Sequence, residues 1–152
     1  MNVLGLHFNF FQITAAALSV LAFAAVRYFE HYIFYDPFID FFKTQYQALA
    51  FPEVDLYALL ISVSFRFFLN AIIGLVFIKI LFLKPVYVKA ATLVYLVAYL
   101  VFMLAYFLLV KNQSDYFFLF YVRKFLIHPI LLLILLPAIF FNLKFKENEE
   151  MA

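Results

Sequence analysis

The chain contains no cysteine and no tryptophan, and only two of its 152 residues are glycine. Without cysteine it has no disulfide, no thiolate metal ligand and no cysteine nucleophile. Gly5 and Gly74 lie too far apart to form a glycine-rich phosphate loop. The net charge of +2 is too small, and too scattered, to indicate nucleic-acid binding. The three histidines lack the spacing of metal ligands, so we expect neither metal nor cofactor.

Charged residues are also scarce, at 13% of the sequence, whereas apolar residues make up 69%. Soluble domains have about 25% charged and 45–50% apolar residues, so a soluble globule is excluded. Each helix that crosses a bilayer takes about 20 residues. The composition therefore predicts an all-α, polytopic membrane protein forming a single transmembrane bundle. Four predicted spans cover approximately residues 10–30, 55–83, 86–110 and 115–142.

The only long connection joins the first two predicted spans. Asp36 followed by Pro37 is typical of a helix start, with Asp36 as the N-cap and Pro37 at the first helical position. Large apolar residues then alternate with polar ones, which predicts an interfacial amphipathic helix over residues 36–50. Residues 143–152 are charged and are expected to form a cytoplasmic tail.

Lysine and arginine near the span ends indicate the orientation of the chain. The predicted topology places five lysines on one side of the membrane: Lys79, Lys84, Lys89, Lys144 and Lys146. The other side has Arg27, Lys43 and Lys111, together with the acidic residues Glu30, Asp36, Asp40, Glu53 and Asp55. We therefore expect both termini in the cytoplasm and the acidic connection outside.

Two alternatives affect this topology. If the fourth span began only at Phe125, Arg123 and Lys124 would lie outside and the charge bias would vanish. Residues 22–24 also resemble a signal-peptidase site, but residues 1–9 contain no lysine or arginine. We therefore expect the first span to be retained.

A polar stripe marks the second span. Ser62, Arg66, Asn70 and Gly74 follow one another at steps of four residues and share one helix face. Arg66 lies about 16 Å beyond Asp55 along the helix, close to the middle of a bilayer. A guanidinium at that depth must face protein or water. It is either a contact for an anion or substrate, or a structural ion pair that locks the bundle.

The fourth span also contains charged residues. Lys124 and His128 share a helix face, and Arg123 points about 100° away. Pro129 and Pro137 each remove a helical hydrogen bond, and kinks there would open space beside His128. His128 is a candidate proton shuttle, although a single histidine is more often a hydrogen-bonded packing residue.

The cations Arg66, Arg123 and Lys124 are predicted to lie beneath the acidic connection. Coulomb attraction would favour folding the connection down onto these cations. We therefore predict that Asp36 or Asp40 pairs with Arg66 or Arg123.

Three stretches of the sequence resemble a known family. They are RYFEHYIFYDPFIDFFK at 27–43, FRFFLN at 65–70 and FYVRKFLIHPILLLILLPAIF at 120–140. They are similar to the small membrane proteins called exosortase F system-associated proteins, and length, span number and motif order agree over nearly the whole chain. Lys124 and His128 stand where arginine and glutamine are expected, so a bidentate role at position 124 is not implied.

The resemblance implies an accessory protein of a protein-sorting system in the bacterial inner membrane. Its expected partners are membrane lipids and exosortase F, a transpeptidase-like enzyme that uses a cysteine nucleophile with arginine and histidine. This chain lacks cysteine, so it cannot perform that step by that chemistry. A non-enzymatic role is therefore the expectation. The candidate residues for a polar core or partner contact are Arg27, Glu30, Asp36, Asp40, Arg66, Asn70, Arg123, Lys124 and His128.

Two other functions remain open. The intramembrane Arg/Lys cluster could handle an anionic lipid or substrate, or the bundle could scaffold a larger complex. The two roles considered for Arg66 predict different effects of its replacement. If Arg66 is structural, its replacement lowers stability. If Arg66 binds a ligand, its replacement abolishes function in a stable protein.

Overall fold

A computed structural model describes residues 2–3, 6–7, 9–43, 50–113 and 115–151. The chain begins with a short antiparallel pair of strands, β1 (Asn2–Val3) and β2 (Leu6–His7). The helices that follow are α1 (Phe10–Tyr28), α2 (Glu30–Ile33), α3 (Phe38–Phe41), α4 (Leu56–Phe82), α5 (Pro85–Asn112), α6 (Tyr116–Ile127) and α7 (Ile130–Met151). The prediction of a helical protein is confirmed.

Three of these helices, α1, α4 and α5, are long and apolar enough to cross a membrane. The pair α6 and α7 meets the same criteria together, but the two helices are bent by 64° at the break between them. The described residues thus contain three or four potential spans, consistent with a helical membrane protein.

The ends of α4 and α5 follow from local sequence. The side chain of Asp55 accepts a hydrogen bond from the Ala58 backbone N–H at 3.1 Å and caps the start of α4. Leu83 ends α4 in a left-handed conformation, with φ of 53°. Pro85 then occupies the first position of α5, where its missing N–H has no cost. This short turn lies between the predicted second and third spans.

α4 is the central helix and packs against α1, α5, α6 and α7. Its polar stripe faces the interior, because Arg66, Asn70 and Gly74 are all buried. Gly74 leaves room for the Tyr95 side chain of α5, since a Cβ there would lie 2.5 Å from the hydroxyl oxygen of Tyr95. Small and polar residues are typical of tight contacts between membrane helices.

The connection between α1 and α4 differs from the prediction of a surface helix over residues 36–50. In its described part, only Phe38–Phe41 forms a helix after Asp36, and residues 44–49 lie outside the described residues. Pro37 occupies the N-cap position that was predicted for Asp36. The Asp36 carboxylate instead accepts from the backbone N–H of Phe38 at 3.2 Å.

The side chains of α3 explain this difference. Phe38 is fully buried, with its ring centroid 5.4 Å from that of Phe51 and 6.5 Å from that of Tyr106. Ile39 and Phe41 are buried as well. The apolar residues that suggested a membrane-facing stripe therefore pack into the protein core.

The break between α6 and α7 lies at His128 and Pro129. His128 has an extended backbone, with φ of −110° and ψ of 153°, and Pro129 has no N–H to continue the helix. α7 runs on through Pro137. The predicted interruption at Pro129 is therefore present, and the break frees carbonyl groups at the end of α6.

Asn70 satisfies one of these carbonyls. Its Nδ2 donates a hydrogen bond of 2.9 Å to the backbone oxygen of Ile127, and this contact is buried. In a continuous helix the Ile127 oxygen would accept from the N–H of residue 131. A side chain of α4 thus replaces a hydrogen bond that the bend removes.

This contact predicts how Asn70→Ala depends on Pro129. In the native background Asn70→Ala should lower the free energy of unfolding by about 1–3 kcal/mol, because the Ile127 carbonyl stays buried without a partner. In a Pro129→Ala background the helix can continue, and the Ile127 carbonyl can accept from the N–H of residue 131. The loss of unfolding free energy caused by Asn70→Ala should then be smaller. Unfolding in mixed detergent micelles measures both values, with the exposed Asn112→Ala as the control. Equal costs in the two backgrounds would contradict this role for Asn70.

Candidate functional site

Five charged side chains meet between the connection and the helices α4 and α6. We call them the ion-pair network: Arg27, Glu30, Asp36, Arg66 and Arg123. Arg27 lies in the last turn of α1, Glu30 begins α2, and Asp36 precedes α3. Chain segments that are distant in sequence are therefore joined at one place.

Glu30 forms the first half of the network. Its Oε2 atom contacts both Nη2 of Arg66 and, at 2.7 Å, Nη1 of Arg27. The side chains of Glu30 and Arg66 are only 7% and 2% exposed, whereas that of Arg27 is 59% exposed. Glu30 thus links a buried cation on α4 to a cation at the protein surface.

Asp36 forms the second half. Both carboxylate oxygens accept from Nε of Arg123, at 3.2 and 3.1 Å, and Oδ2 also accepts from Nη2 at 2.6 Å. Nη1 of Arg66 lies 3.7 Å from Oδ2 of Asp36. A fork of guanidinium donors on one carboxylate is among the stronger pairings in proteins. The predicted pairing of the connection with Arg66 and Arg123 is confirmed for Asp36.

Asp40 was the other candidate for this role, and it does not enter the network. Its side chain is 81% exposed and pairs with Nζ of Lys43 at 3.1 Å. Asp40 lies within the single turn of α3, whose Phe38, Ile39 and Phe41 side chains are buried. Asp40 therefore points away from the core.

The network explains how the charged guanidinium of Arg66 can be buried among apolar side chains. Arg66 is 1% exposed overall, contacts two carboxylates, and lies 5.3 Å from the ring centroid of Phe34. Its Nε and Nη1 atoms have no hydrogen-bond partner among the described residues. Arg66 therefore faces protein, as intramembrane charges require. The geometry fits the structural reading of Arg66 better than a direct substrate contact.

Sequence reasoning missed two contacts. The spacing of Arg27 and Glu30, three residues apart, could have indicated their pairing, but nothing local indicated that Glu30 reaches Arg66. Asn70 was a candidate polar contact, yet its partner is a backbone carbonyl on α6. Both contacts depend on how the helices assemble.

Lys124 and His128 lie outside the network and line a cleft beside it. The cleft encloses about 250 Å³. We call it the cationic cleft, and its lining residues are Arg27, Glu30, Ile39, Phe42, Lys43, Phe120, Arg123, Lys124 and His128. The Lys124 ammonium lies 4.1 Å from the ring centroid of Phe120. Three of the predicted candidates, Arg27, Glu30 and Arg123, therefore belong to both the network and the lining of the cleft.

The chemistry of the arrangement is ion pairing and anion attraction. Among the described residues, no group of three His, Asp or Glu side chains is placed to hold a metal ion. The network's three guanidiniums exceed its two carboxylates by one positive charge. A site with excess positive charge favours anions.

Comparisons with known proteins give no relative. No model of a protein family matches the chain, and neither a curated protein nor a solved structure does.

The two aspartates of the connection provide a matched test of the network. Asp36→Asn should lower the free energy of unfolding by about 3–5 kcal/mol, because it leaves the buried guanidinium of Arg123 without its countercharge. Asp40→Asn removes an exposed pair and should cost less than about 1 kcal/mol. Denaturant titration of both variants in the same micelles gives the comparison. Similar costs for the two variants would contradict the assignment of Asp36 as the central anion.

Proposed function

We propose that the chain is an accessory integral membrane protein of a bacterial inner-membrane sorting system and a non-enzymatic partner of an exosortase-type transpeptidase. One observation carries the proposal. The three stretches that resemble exosortase F system-associated proteins, residues 27–43, 65–70 and 120–140, are the stretches that the polar contacts bring together.

Each pair of stretches has its own contact. Glu30 with Arg66 joins the first stretch to the second, and Asp36 with Arg123 joins the first to the third. Asn70 with the Ile127 carbonyl joins the second to the third. Motifs far apart in sequence are thus parts of one contact set, which supports treating them as one functional unit.

The proposal includes a four-span arrangement with both termini in the cytoplasm, in which α6 and α7 together form one bent span. The excess of lysine on the α4–α5 turn and on α7 supports this orientation. The connection between α1 and α4 and the turn between α5 and α6 then lie outside.

Single introduced cysteines test this topology, because the native chain has no cysteine that a thiol reagent could label. We expect cysteines at Asp40 and Asp115 to react with a membrane-impermeant maleimide in intact spheroplasts. Cysteines at Lys84 and Lys144 should react only after the membrane is opened. These four positions are exposed, whereas the Asp36 side chain is 1% exposed and would report burial instead. Labelling of Asp40 and Lys84 from the same side would contradict the four-span arrangement.

A supporting role suits the chemistry of the chain. Cysteine is absent from the sequence, so a thiol-based transpeptidation step would belong to the partner enzyme. α5 also exposes a long apolar surface, including Leu93, Val97, Leu100 and Leu104. Such a surface is suited to lipid or to the helices of another membrane protein.

The proposal predicts that the chain co-purifies with an exosortase from membranes in mild detergent. A tagged chain should retain the enzyme, and an unrelated four-span protein expressed at the same level should not. Deletion of the gene should also impair processing of C-terminal sorting signals, measured by the size of the sorted proteins. Failure to co-purify, together with normal sorting in the deletion strain, would overturn the proposal.

A further inference from the structure

The cationic cleft has a strongly uneven charge. Four cations line it, Arg27, Lys43, Arg123 and Lys124, whereas its lining contains a single carboxylate, that of Glu30. The alternative of an anion-handling protein rests on the intramembrane Arg/Lys cluster, which includes Arg66. Arg66, however, contacts two buried carboxylates and does not line the cleft. The cleft is therefore a better candidate than Arg66 for the binding of an anion.

The four cations differ in how far they are neutralised. Arg27 pairs with Glu30, Lys43 with Asp40, and Arg123 with Asp36. Among the described residues, no carboxylate lies within salt-bridge distance of Lys124. Lys124 thus supplies a positive charge that the described part of the protein does not compensate.

Two of the paired cations are also available to a ligand. The side chains of Arg27 and Lys43 are 59% and 58% exposed. The pair of Lys43 with Asp40 is exposed on both sides and therefore weak. The Glu30 partner of Arg27 is buried, but it keeps Arg66 as a partner if Arg27 turns to a ligand. Both side chains line the cleft together with Lys124. An anion placed there would meet Lys124, which pairs with no carboxylate among the described residues, and two cations that can exchange partners.

The walls of the cleft limit what it can hold. Ile39, Phe42 and Phe120 are apolar, and apolar walls strengthen an electrostatic attraction by keeping water away. The volume of about 250 Å³ is below the range typical of sites for drug-sized ligands. The cleft can therefore hold a compact anionic group of a larger ligand, while the rest of that ligand lies outside the cleft.

The depth of the cleft indicates where such a group would come from. Lys124 lies nine residues after Asp115, about 13 Å along the helix. In the four-span arrangement, its long stem can bring the ammonium towards the level of the lipid head groups. Basic pockets between membrane helices bind phosphate-bearing head groups on the cytoplasmic side of membranes, and the same charge attraction applies to anionic head groups of the outer leaflet.

We propose that the cationic cleft binds the phosphate group of an anionic membrane phospholipid, with Lys124 as the main point charge and Arg27 and Lys43 as supporting donors. Lysine is a common phosphate ligand of this kind. The site is independent of the sorting partner proposed above, because it depends only on side chains of this chain. The same chemistry would also attract a free phosphate ester from solution, so the source has to be tested separately.

The test uses the full chain in phosphatidylcholine nanodiscs, with phosphatidic acid as the lipid probe and inorganic phosphate as the soluble one. Bound lipid is counted by native mass spectrometry, and phosphate binding is followed by the shift in melting temperature. We expect Lys124→Gln to weaken phosphatidic acid binding about tenfold, the effect of losing one charge-assisted hydrogen bond. Lys111→Gln is the matched control, because Lys111 also lies over a phenylalanine ring, that of Phe107, but outside the cleft.

Further variants separate binding from folding. Lys124→Arg keeps the charge and should retain the probe, and Lys43→Gln should weaken binding by a smaller factor than Lys124→Gln. Equal effects of Lys124→Gln and Lys111→Gln, or no effect of either, would overturn the proposal. If inorganic phosphate protects the native chain while phosphatidic acid does not bind, the lipid assignment is wrong and a soluble phosphate ester replaces it.

Discussion

The rest of the structure depends on the pairing of Asp36 with Arg123 and Arg66. A guanidinium on a membrane helix has a large cost unless protein or water surrounds it. α4 and α6 each carry one such group, and both lie against a single carboxylate whose side chain is 1% exposed. Asp36 thus stands between the charges of the two helices, and Glu30 provides a second countercharge for Arg66.

Bringing Asp36 to this position determines the path of the connection between α1 and α4. The carboxylate also accepts from the backbone N–H of Phe38, which starts a single helical turn. That turn inserts Phe38 between Phe51 and Tyr106, whose rings lie within 6.5 Å of it. Electrostatic pairing and aromatic packing therefore reinforce each other, since each requires the connection to fold inward.

The helical class, the position of the α4–α5 turn and the break at Pro129 could be predicted from the sequence, because hydropathy and proline act locally. The pairing of Asp36 was also predictable, since buried cations need nearby anions. The inward turn of Phe38 was not predictable, because an apolar stripe looks the same whether it faces lipid or protein. The contacts Glu30 with Arg66 and Asn70 with Ile127 depend on helix assembly, which no local pattern specifies.

Charge balance connects the buried network to the open cleft. Three arginines share two carboxylates in the network, so one positive charge is left over before Lys124 is counted. Asp40 could have supplied a third carboxylate, but its side chain is 81% exposed and pairs with Lys43. Arg27 and Arg123 belong to both the network and the lining of the cleft. Among the described residues, the buried carboxylates of Glu30 and Asp36 neutralise the cations for which burial is most costly. The positive charge that these residues leave uncompensated lies at the cleft, where an anion can enter.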